Sequence, residues 1–395
     1  MISPMLRYCV AATVIGAAAL PAQELPVVRL DGSKITAEQI DTVIPRFMNA
    51  AHVNGAGIAV LNDGKVVFLK AYGERDTARH LPLTPDSVMT AASLTKSVFA
   101  TMVMQLVHEG VIDLDKPICQ YLPKPLPEYD AYKDLAGDPR YKNITMRMLL
   151  DHTAGFPNWR RFTDDGKLSI YFAPGSRFAY SGEGIDLAQF IVETVTKRPV
   201  NDLMHAYIFQ PLGMTRTSMV WESRFEDDYA NGYDENGRSL GPQHRRRGDA
   251  AGSMQTTLRD YARFVQAVLG GAIPYTAERK QMLSPQIEIT SKHEFPSLAT
   301  ETTSDNRSIR LSYGLGWGLY WTPYGKAFFK EGKDDGLRHY VVGFDKAKAG
   351  ILITTNSANG EDIYSSVLEE VLQDTFTPLE WEGFRGPIKL GSSPK

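Results

Sequence analysis

The chain has 395 residues, of which 43% are hydrophobic and 23% are charged, and its net charge at pH 7 is −3. This composition is typical of a globular protein with a large core in more than one lobe, and it excludes a disordered or fibrous chain. The small acidic excess gives no indication of nucleic-acid binding. The sequence lacks HExxH, paired CxxC and Walker motifs, so we expect neither a metal ion nor another cofactor.

The first residues of the chain have the pattern of a secretory signal peptide. Arg7 precedes an apolar run from Tyr8 to Leu20, and small residues follow up to Ala22. The run is too short to span a bilayer, and a membrane-tethering or buried N-terminal helix is the alternative. We expect residues 1–22 to be removed, which makes the protein secreted or periplasmic and leaves it without a stable membrane span.

The two cysteines cannot form a disulfide bond in the exported protein. Cys9 lies inside the predicted signal peptide, and Cys119 lies beyond it. A single remaining cysteine has no internal partner. The hydrophobic core must therefore stabilise the fold.

Two apolar runs in residues 56–73 predict a β-hairpin, because Asn62-Asp63-Gly64 between them has the chemistry of a tight turn. From residue 110 to residue 249, proline-rich connections alternate with helical patterns such as "ITMRMLLDHTAG" and "GIDLAQFIVETVTKRP". This stretch predicts an all-helical domain.

Strand signals return near the C-terminus in "YGLGWGLYW", "KAFFKEG", "RHYVVGFD" and "GILITTNS", and a helical pattern, "IYSSVLEEVLQDT", closes the chain. We expect these strands to share one sheet with the N-terminal hairpin. Residues 23–109 and 250–395 then form one α/β (α+β) domain, an antiparallel sheet flanked by helices, with the helical domain 110–249 inserted.

The stretch "MTAASLTKSVFATMVMQLVHEG", residues 89–110, predicts a helix with one broad apolar face that ends at Gly110. Ser93 and Lys96 are three residues apart at its start, so the lysine amine can reach the serine hydroxyl. A buried lysine can lose its proton and activate the serine. The partial positive charge and the free N–H groups at the start of the helix also stabilise the negative charge that develops during the reaction.

The alternative for this pair is a serine that caps the helix and a lysine in solvent. A bare S-x-x-K pattern is weak evidence, because Ser392 to Lys395 also matches it where Pro394 forbids a helix. The apolar helix and the hairpin before it make the first match the stronger candidate.

The stretch "TAASLTK" resembles the nucleophile box of the serine β-lactamase and penicillin-binding-protein superfamily. Further blocks resemble, in order, those of its class C β-lactamase and family VIII esterase branch over most of residues 40–375: "ITMRMLLDHTAGFP", "APGSRFAYSGEGIDLAQFIVETVTKRP", "IFQPLGMTRTSM", "GSMQTTLRDYARF" and "YGLGWGLYW". The resemblance implies a β-lactamase/transpeptidase-like fold and a mechanism in which Ser93 is acylated.

The second box of that branch, normally Tyr-x-Asn, matches Tyr180 in "FAYSGEG". The resemblance implies that Tyr180, as a phenol or a tyrosinate, shares proton transfer with Lys96. Gly182 occupies the asparagine position, which argues against amide or lactam turnover more than against ester turnover. Two other Tyr-x-Asn strings, 141–143 and 229–231, lie outside the matching blocks and are interpreted as loops.

The third box, Lys-Thr-Gly or His-x-Gly in the superfamily, matches Lys330-Glu331-Gly332. The resemblance implies that Lys330 meets a substrate carboxylate, that Gly332 lets the substrate approach the strand, and that the N–H of Lys333 joins that of Ser93 in an oxyanion hole. Glu331 is a departure that either weakens anion binding or points to the other strand face. An exposed edge-strand lysine is the alternative for Lys330.

Three further patterns have less support. Ser304-Asp305-Asn306 is another spelling of the second box, but it is interpreted as a surface loop. His152 has no G-x-S-x-G elbow to complete a Ser-His-Asp triad. The run "HRRRGD", 244–249, either attracts acidic substrates at a cleft rim or is a solvated loop.

Taken together, these patterns predict a secreted serine hydrolase that acts through an acyl-enzyme on a β-lactam, D-alanyl peptide or ester carbonyl. Its partner would be a small-molecule or peptide substrate. Lys330 indicates that this substrate carries a carboxylate. The alternative is a catalytically weak penicillin-binding or sensory protein of the same fold, which the altered second and third boxes keep open.

Overall fold

The computed structural model describes residues 26–390. The predicted signal peptide, residues 1–22 with Cys9, and the second S-x-x-K match at 392–395 lie outside the described residues. None of the helices between residues 26 and 390 has both the length and the apolar composition needed to cross a bilayer.

Some of the α-helices of the described chain pack on the faces of a central sheet, and the others pack against further helices. In chain order they are α1 (Ala37–Ala50), α2 (Leu94–His108), α3 (Met146–Leu150), α4 (Gly182–Thr196), α5 (Val200–Met204), α6 (Leu258–Gly270), α7 (Thr276–Met282) and α8 (Tyr364–Leu372). A π-helical segment, His205–Phe209, continues α5. Short 3-10 helices occupy Ile118–Tyr121, Leu126–Glu128, Asp130–Leu135, Pro139–Asn143, Arg160–Phe162, Ser223–Asp228, Asp305–Arg307 and Ala358–Ile363.

The strands of the described chain belong to one large sheet and three small pairs. In chain order they are β1 (Val27–Val28), β2 (Lys34–Ile35), β3 (Gly55–Asn62), β4 (Lys65–Asp76), β5 (Leu81–Pro82), β6 (Met89–Thr90), β7 (Gly232–Tyr233), β8 (Ser239–Gly241), β9 (Gln255–Thr256), β10 (Ile287–Glu288), β11 (Ser312–Tyr313), β12 (Gly318–Thr322), β13 (Gly325–Asp334), β14 (Leu337–Phe344) and β15 (Ala349–Thr355).

Nine of the strands between residues 26 and 390 form one antiparallel sheet in the order β10-β11-β12-β13-β14-β15-β3-β4-β5. Strand β15 pairs with β3, for example Leu352 with Ala59, so the N-terminal hairpin and the C-terminal strands share this sheet. The predicted sharing is therefore confirmed. Strands β3 and β15 are neighbours inside this sheet, so residues from both sides of segment 110–249 contribute to it.

The predicted hairpin is β3–β4, and its turn has two residues. Asn62 pairs with Lys65, and Asp63 and Gly64 between them have φ of 48° and 69°. Two positive φ angles are typical of a type I′ turn, whose twist matches that of the strands on either side. The turn chemistry in the sequence thus determines the register of this edge of the sheet.

Strand β3 shows how the sheet buries both of its faces. Ala59 and Leu61 belong to the core cluster that includes α2 and α6, whereas Ile58 and Val60 belong to the cluster that includes α1 and α8. Successive side chains of a strand point to opposite faces, so an uninterrupted apolar run is required where helices cover both faces.

Helix α2 is buried on all sides over its first three turns, rather than on one broad face as its sequence predicts. Every residue from Leu94 to Met104 is buried. The helix packs against β13 on one side and against α5 and α7 on others, so no side of it is left to solvent. The polar residues in its first turn are consequently held inside the protein.

The regular elements of segment 110–249 are helices apart from one short hairpin, β7–β8, and many of these helices are single 3-10 turns with irregular connections between them. Its proline-rich connections explain this, because proline ends or kinks helices. The boundaries predicted for the two domains, 23–109 with 250–395 and 110–249, stay predictions.

Candidate active site

Ser93 and Lys96 meet at the start of α2, as their spacing predicts. Lys96 Nζ lies 2.9 Å from Ser93 Oγ and 2.5 Å from the carbonyl oxygen of Ala251. The serine side chain makes no capping hydrogen bond, and Lys96 is 1% exposed. The alternative of a capping serine and a solvated lysine therefore does not describe this pair.

The backbone before Ser93 is held in an uncommon conformation. Ala92 has a φ of 49°, in the left-handed region that residues with a Cβ atom seldom adopt. Ala91 N–H donates to Met254 O at 2.7 Å, and β6 pairs with β9, so the turn is fixed from both sides. Such strain persists where the surrounding structure determines it, and it often marks a functional residue.

The environment of Lys96 favours its neutral form. Burial, followed by the positive charge of Lys330, lowers the pKa of Lys96 to about 8. The negative charge of Asp249 acts in the opposite direction. A lysine with this pKa carries a substantial neutral fraction near neutral pH and can accept a proton from a serine hydroxyl.

Tyr180 lies over the same lysine. Lys96 Nζ is 5.1 Å from the centre of its ring, and Lys330 Nζ is 4.6 Å from it on β13. Burial, followed by the charge of Glu331, raises the pKa of the Tyr180 phenol well above its usual value. Of the two protonation states left open by the sequence, this environment favours the phenol, which can donate a proton but not accept one.

The Tyr180 hydroxyl has no hydrogen-bond partner among residues 26–390. Ser93 is near enough to lower the pKa of the phenol slightly, but the contact does not have hydrogen-bond geometry. A buried hydroxyl without a partner carries a free-energy cost. A bound substrate atom between the two hydroxyls would remove that cost.

His152 supports Tyr180 from behind. Its ring centre is 4.5 Å from that of Tyr180, and its Nδ1 accepts the N–H of Ser181 at 3.2 Å. Burial, followed by the charges of Lys96 and Lys330, lowers the pKa of His152 well below its usual value. A neutral histidine in this place is a packing and orienting group for the tyrosine.

The packing around position 182 explains why a glycine stands there. A Cβ atom at this position would lie 2.5 Å from the ring of Trp159, which is too close for any other residue. The same Trp159 ring lies 6.0 Å from Lys96 Nζ. An indole therefore occupies the space next to the lysine into which an asparagine side chain at position 182 would extend.

Lys330 is not free to meet a substrate carboxylate, which corrects the expectation from the sequence. Its side chain is fully buried, and its ammonium donates a short hydrogen bond to the Glu331 carboxylate. It also donates to the backbone oxygen of Glu331 at 3.2 Å. Because Glu331 already neutralises this lysine, an anionic group gains little from approaching it.

Three buried carboxylates meet beside Lys330. Oxygen atoms of Glu294, Glu331 and Glu382 lie within 4.8 Å of one another. Such spacing is small enough for one positively charged group to contact all three. We call these residues the carboxylate cluster.

Gly332 and Lys333 complete the strand edge next to the nucleophile. A Cβ atom at Gly332 would lie 2.7 Å from the carbonyl oxygen of Ala91, so glycine is needed for β13 to approach the start of α2. The Lys333 ammonium lies 3.3 Å from the carboxylate of Glu361, which also lines the cleft. This pairing leaves the backbone N–H of Lys333 as its contribution next to the nucleophile.

These residues line a cleft of about 1500 Å³ that contains Ser93, Lys96 and Tyr180 together with the carboxylate cluster. Arg245, Arg246 and Arg247 line another part of it, so the "HRRRGD" run lies at the cleft rim. Arg245 is paired with Asp334 at 2.6 Å, whereas Arg246 and Arg247 are exposed and have no salt bridge within residues 26–390.

The model of the Beta-lactamase family matches residues 40–372 of the chain. The protein belongs to the β-lactamase family. This membership and the antiparallel sheet flanked by helices confirm the resemblance and the fold class predicted from the sequence.

Two curated members of the wider group align with part of the chain. Protein flp of Staphylococcus aureus (strain MRSA252) is 26% identical over 212 residues, which cover 50% of this chain and 41% of that protein. Esterase EstB of Burkholderia gladioli is 27% identical over 234 residues, which cover 52% of this chain and 57% of the esterase. The chain thus spans about half the length of these curated relatives.

Solved structures share the fold at low sequence identity. The octameric penicillin-binding protein homologue from Pyrococcus abyssi has a TM-score of 0.66 at 23% identity, over 82% of this chain and 74% of that one. The β-lactamase/D-alanine carboxypeptidase from Pseudomonas syringae has a TM-score of 0.67 at 19% identity, over 85% of this chain and 98% of that one.

In this β-lactamase family chain, the competing motifs lie elsewhere. Ser304 and Asp305 are exposed and do not line the cleft, as expected for a surface loop. Tyr229 lies in a connection between elements, as expected, but it is buried, and its hydroxyl contacts Thr90 and Gln255 at 3.0 Å. Tyr141 packs in the core next to α3.

The sequence patterns missed four contributors to the site: Trp159, Glu294, Glu382 and the carbonyl of Ala251. None belongs to a short motif with Ser93. One signal was present, because a glycine in place of the family's asparagine indicates a large neighbour. The two glutamates gave no such signal, since single acidic residues are usually solvated.

Proposed function

We propose that this chain is a serine hydrolase that cleaves esters through an acyl-enzyme on Ser93. The observation that carries the proposal is the 2.9 Å contact between Ser93 Oγ and a fully buried lysine. Burial supplies the lowered lysine pKa that serine activation requires. The esterase among the aligned relatives supports the same chemistry.

In the acylation step, neutral Lys96 takes the proton of Ser93 Oγ while that oxygen attacks the ester carbonyl. The carbonyl oxygen gains the negative charge, and we assign the N–H groups of Ser93 and Lys333 as its donors. A preorganised donor of this kind is typically worth 10² to 10³ in rate. Their place at a helix start and at a strand edge next to it supports the assignment.

In the collapse of the intermediate, the phenol of Tyr180 donates its proton to the leaving oxygen, and the Lys96 ammonium gives a proton to the phenolate that results, so Tyr180 is a phenol again and Lys96 is neutral. Water then attacks the acyl-enzyme by the reverse order of transfers and releases the acid. The raised pKa of Tyr180 supports its role as a proton donor.

Esters are preferred to lactams and peptides in this proposal because of Gly182 and Trp159. No amide side chain extends from position 182 to hold the carbonyl of a lactam, and the indole fills that space. A solved relative is described as a β-lactamase/D-alanine carboxypeptidase, so lactams and D-alanyl peptides are the second substrate candidates.

We also propose that the enzyme acts outside the cytoplasm, on the strength of Arg7 and the apolar run from Tyr8 to Leu20. Fractionation of cells that express the full chain, compared with a chain lacking residues 2–22, tests this proposal. Equal distribution of the two forms would contradict it.

The hydrolase proposal is tested by intact mass and product release together. Exposure to a fluorophosphonate should add one label, and Ser93→Ala should abolish it while Ser97→Ala, a control serine on the same helix, should not. The parent should hydrolyse p-nitrophenyl butyrate with turnover.

Two outcomes contradict the proposal in different ways. A label that persists in Ser93→Ala excludes this nucleophile. A stable adduct from an ester or a penicillin, without release of acid over hours, identifies a penicillin-binding or sensory protein instead of a hydrolase.

A further inference from the structure

We infer that the carboxylate cluster is a subsite for a positively charged organic group of the substrate, namely an ammonium. The inference rests on the proposed hydrolase function and names the substrate class of that same cleft. It replaces the expectation of a substrate carboxylate at Lys330.

The cluster is built from three separate parts of the chain. Glu331 lies on β13, Glu294 lies in the connection after β10, and Glu382 lies after α8. Glu294 N–H donates to Trp381 O at 3.0 Å, which holds the last two segments together. All three glutamates line the cleft that contains Ser93. The subsite is therefore part of the space that a substrate of Ser93 occupies.

Two carboxyl groups of the cluster, those of Glu294 and Glu382, have no salt-bridge partner in the described part of the chain. Lys330 pairs with Glu331, but no salt bridge to Glu294 or Glu382 forms within residues 26–390. The charges of Lys330 and Lys96 act to lower the pKa of Glu294. Of these, Lys96 is held by Ser93 and Ala251.

Burial and repulsion between the carboxylates both raise the pKa values of the two unpaired glutamates. Burial, followed by the charge of Glu331, raises the pKa of Glu294 well above its usual value. Burial, followed by the charge of Glu294, does the same for the pKa of Glu382. A positive charge placed among these carboxylates would lower the cost of their burial and of their repulsion, and their oxygen atoms lie close enough together for one cation to reach all three.

Unpartnered phenols supply an independent indication of a ligand. Tyr313 is 2% exposed, and its hydroxyl has no hydrogen-bond partner in the described chain. The charges of Glu331, Glu294 and Glu382 all act on this phenol. One oxygen of Glu382 and the hydroxyl of Tyr180 are likewise without a partner among the described residues. An ammonium offers three donors to such acceptors.

The neighbouring Lys330 favours an organic monocation over a divalent metal ion. The buried Lys330 ammonium would repel a divalent ion about twice as strongly as it repels a monocation, because the repulsion is proportional to the charge of the ion. A substrate carboxylate would meet three glutamates and one neutralised lysine. The ligand class that fits is a primary amine near the ester carbonyl.

The test uses three methyl esters with one skeleton: alanine methyl ester in both enantiomers, methyl 2-methylpropanoate, and monomethyl methylmalonate. They place an ammonium, a methyl group or a carboxylate at the same carbon. At pH 7, kcat/KM for each is divided by the rate of its alkaline hydrolysis. We expect the ammonium ester to exceed the neutral ester by about tenfold to a hundredfold, because hydrogen bonds to charged groups have that strength, and the anionic ester to be the poorest.

The variants Glu382→Gln and Glu294→Gln should each lower the ratio of ammonium to neutral ester by about fivefold or more. Glu361→Gln is the matched control, since Glu361 also lines the cleft but is already paired with Arg338 and Lys333. Its ratio should match that of the parent. Thermal unfolding identifies any variant that does not fold. If one of the two glutamine variants fails to fold, the ester ratio of the other one tests the inference.

An ammonium-to-neutral ester ratio near one in the parent overturns the inference, and so does a fall of this ratio in Glu361→Gln as large as that in the other two variants. In either case, fluorophosphonate labelling of Ser93 and turnover of the neutral ester would leave the hydrolase proposal standing. Stabilisation by micromolar Ca²⁺ or Mn²⁺ that disappears in Glu382→Gln would also overturn the inference, because the cluster would then be a metal site. Absence of both labelling and turnover rejects the hydrolase proposal, and the inference with it.

Discussion

Two buried lysines contact the same tyrosine ring from different elements, and their partners give them different properties. Lys96 on α2 and Lys330 on β13 lie 5.1 Å and 4.6 Å from the ring centre of Tyr180. Lys96 contacts a hydroxyl and a backbone carbonyl, so burial acts on it without a carboxylate in contact. Lys330 contacts the carboxylate of Glu331.

The difference teaches that burial by itself does not make a lysine a base. A charged group loses solvation in either place, but an ion pair returns much of that free energy, whereas a hydroxyl and a carbonyl return less. Lys96 can therefore act in proton transfer. Lys330 has a structural role, and its positive charge also acts on neighbouring groups.

Removal of Lys96 should give the largest effect on catalysis. Lys96→Ala should lower kcat by about 10² to 10⁴, the usual worth of a general base, with little change in thermal unfolding. Steady-state kinetics on a neutral ester measure it. Tyr180→Phe should lower kcat within the same range. Full activity of Tyr180→Phe on every ester would show that another group donates the proton.

Removal of Lys330 should act mainly on stability. Lys330→Met leaves the buried Glu331 carboxylate unpaired, so the free energy of unfolding should fall by about 3 to 5 kcal/mol. Urea unfolding measures it. The double variant Lys330→Met/Glu331→Met should recover most of the loss, because it removes both charges. A Lys330→Met protein as stable as the parent would show that the pair is not buried in solution.

The pH profile should report Lys96. Below its pKa of about 8 the lysine is charged and cannot accept a proton, so kcat/KM for a neutral ester should rise with pH and level off above about 8. The rise should approach tenfold per pH unit well below 8. Since Tyr180 stays protonated there, it should add no second inflection. A flat profile between pH 6 and 9 would contradict Lys96 as the base.

The smallest effect concerns Gly182. Gly182→Asn should destabilise the protein by about 1 to 3 kcal/mol, because its Cβ would overlap the Trp159 ring. Trp159→Ala/Gly182→Asn should relieve the overlap and raise lactam turnover relative to ester turnover. If Gly182→Asn is as stable as the parent, the indole moves freely and does not explain the glycine.

Local spacing was sufficient to predict several features. The Asn62-Asp63-Gly64 turn determines a two-residue hairpin, and the spacing of three positions from Ser93 to Lys96 determines that they meet on one helix. The strands and the closing helix of the C-terminal region follow from their periodicity. In each case the interacting groups are separated by one turn, so the chain has few ways to arrange them.

Resemblance to a family placed Tyr180, Lys330, Gly332 and Lys333 near Ser93, but it did not predict their environments. The free Lys330 expected from the motif is paired in the structure, because Glu331 is its neighbour on the strand. The apolar periodicity of α2 predicted one buried face, whereas the helix is enclosed by elements far away in the sequence.

The sequence by itself determined the sheet hairpin, the helix that begins at Ser93, and the pairing of that serine with Lys96, since these depend on neighbours along the chain. Only the tertiary structure decided which charged groups meet in the cleft and how much space is left beside Ser93 and Lys96. Glu294, Glu331 and Glu382 act together because folding brings them within 4.8 Å, and the indole of Trp159 fills the space next to Gly182. Electrostatic energy and overlap depend on distances in space, which periodicity and motifs do not contain.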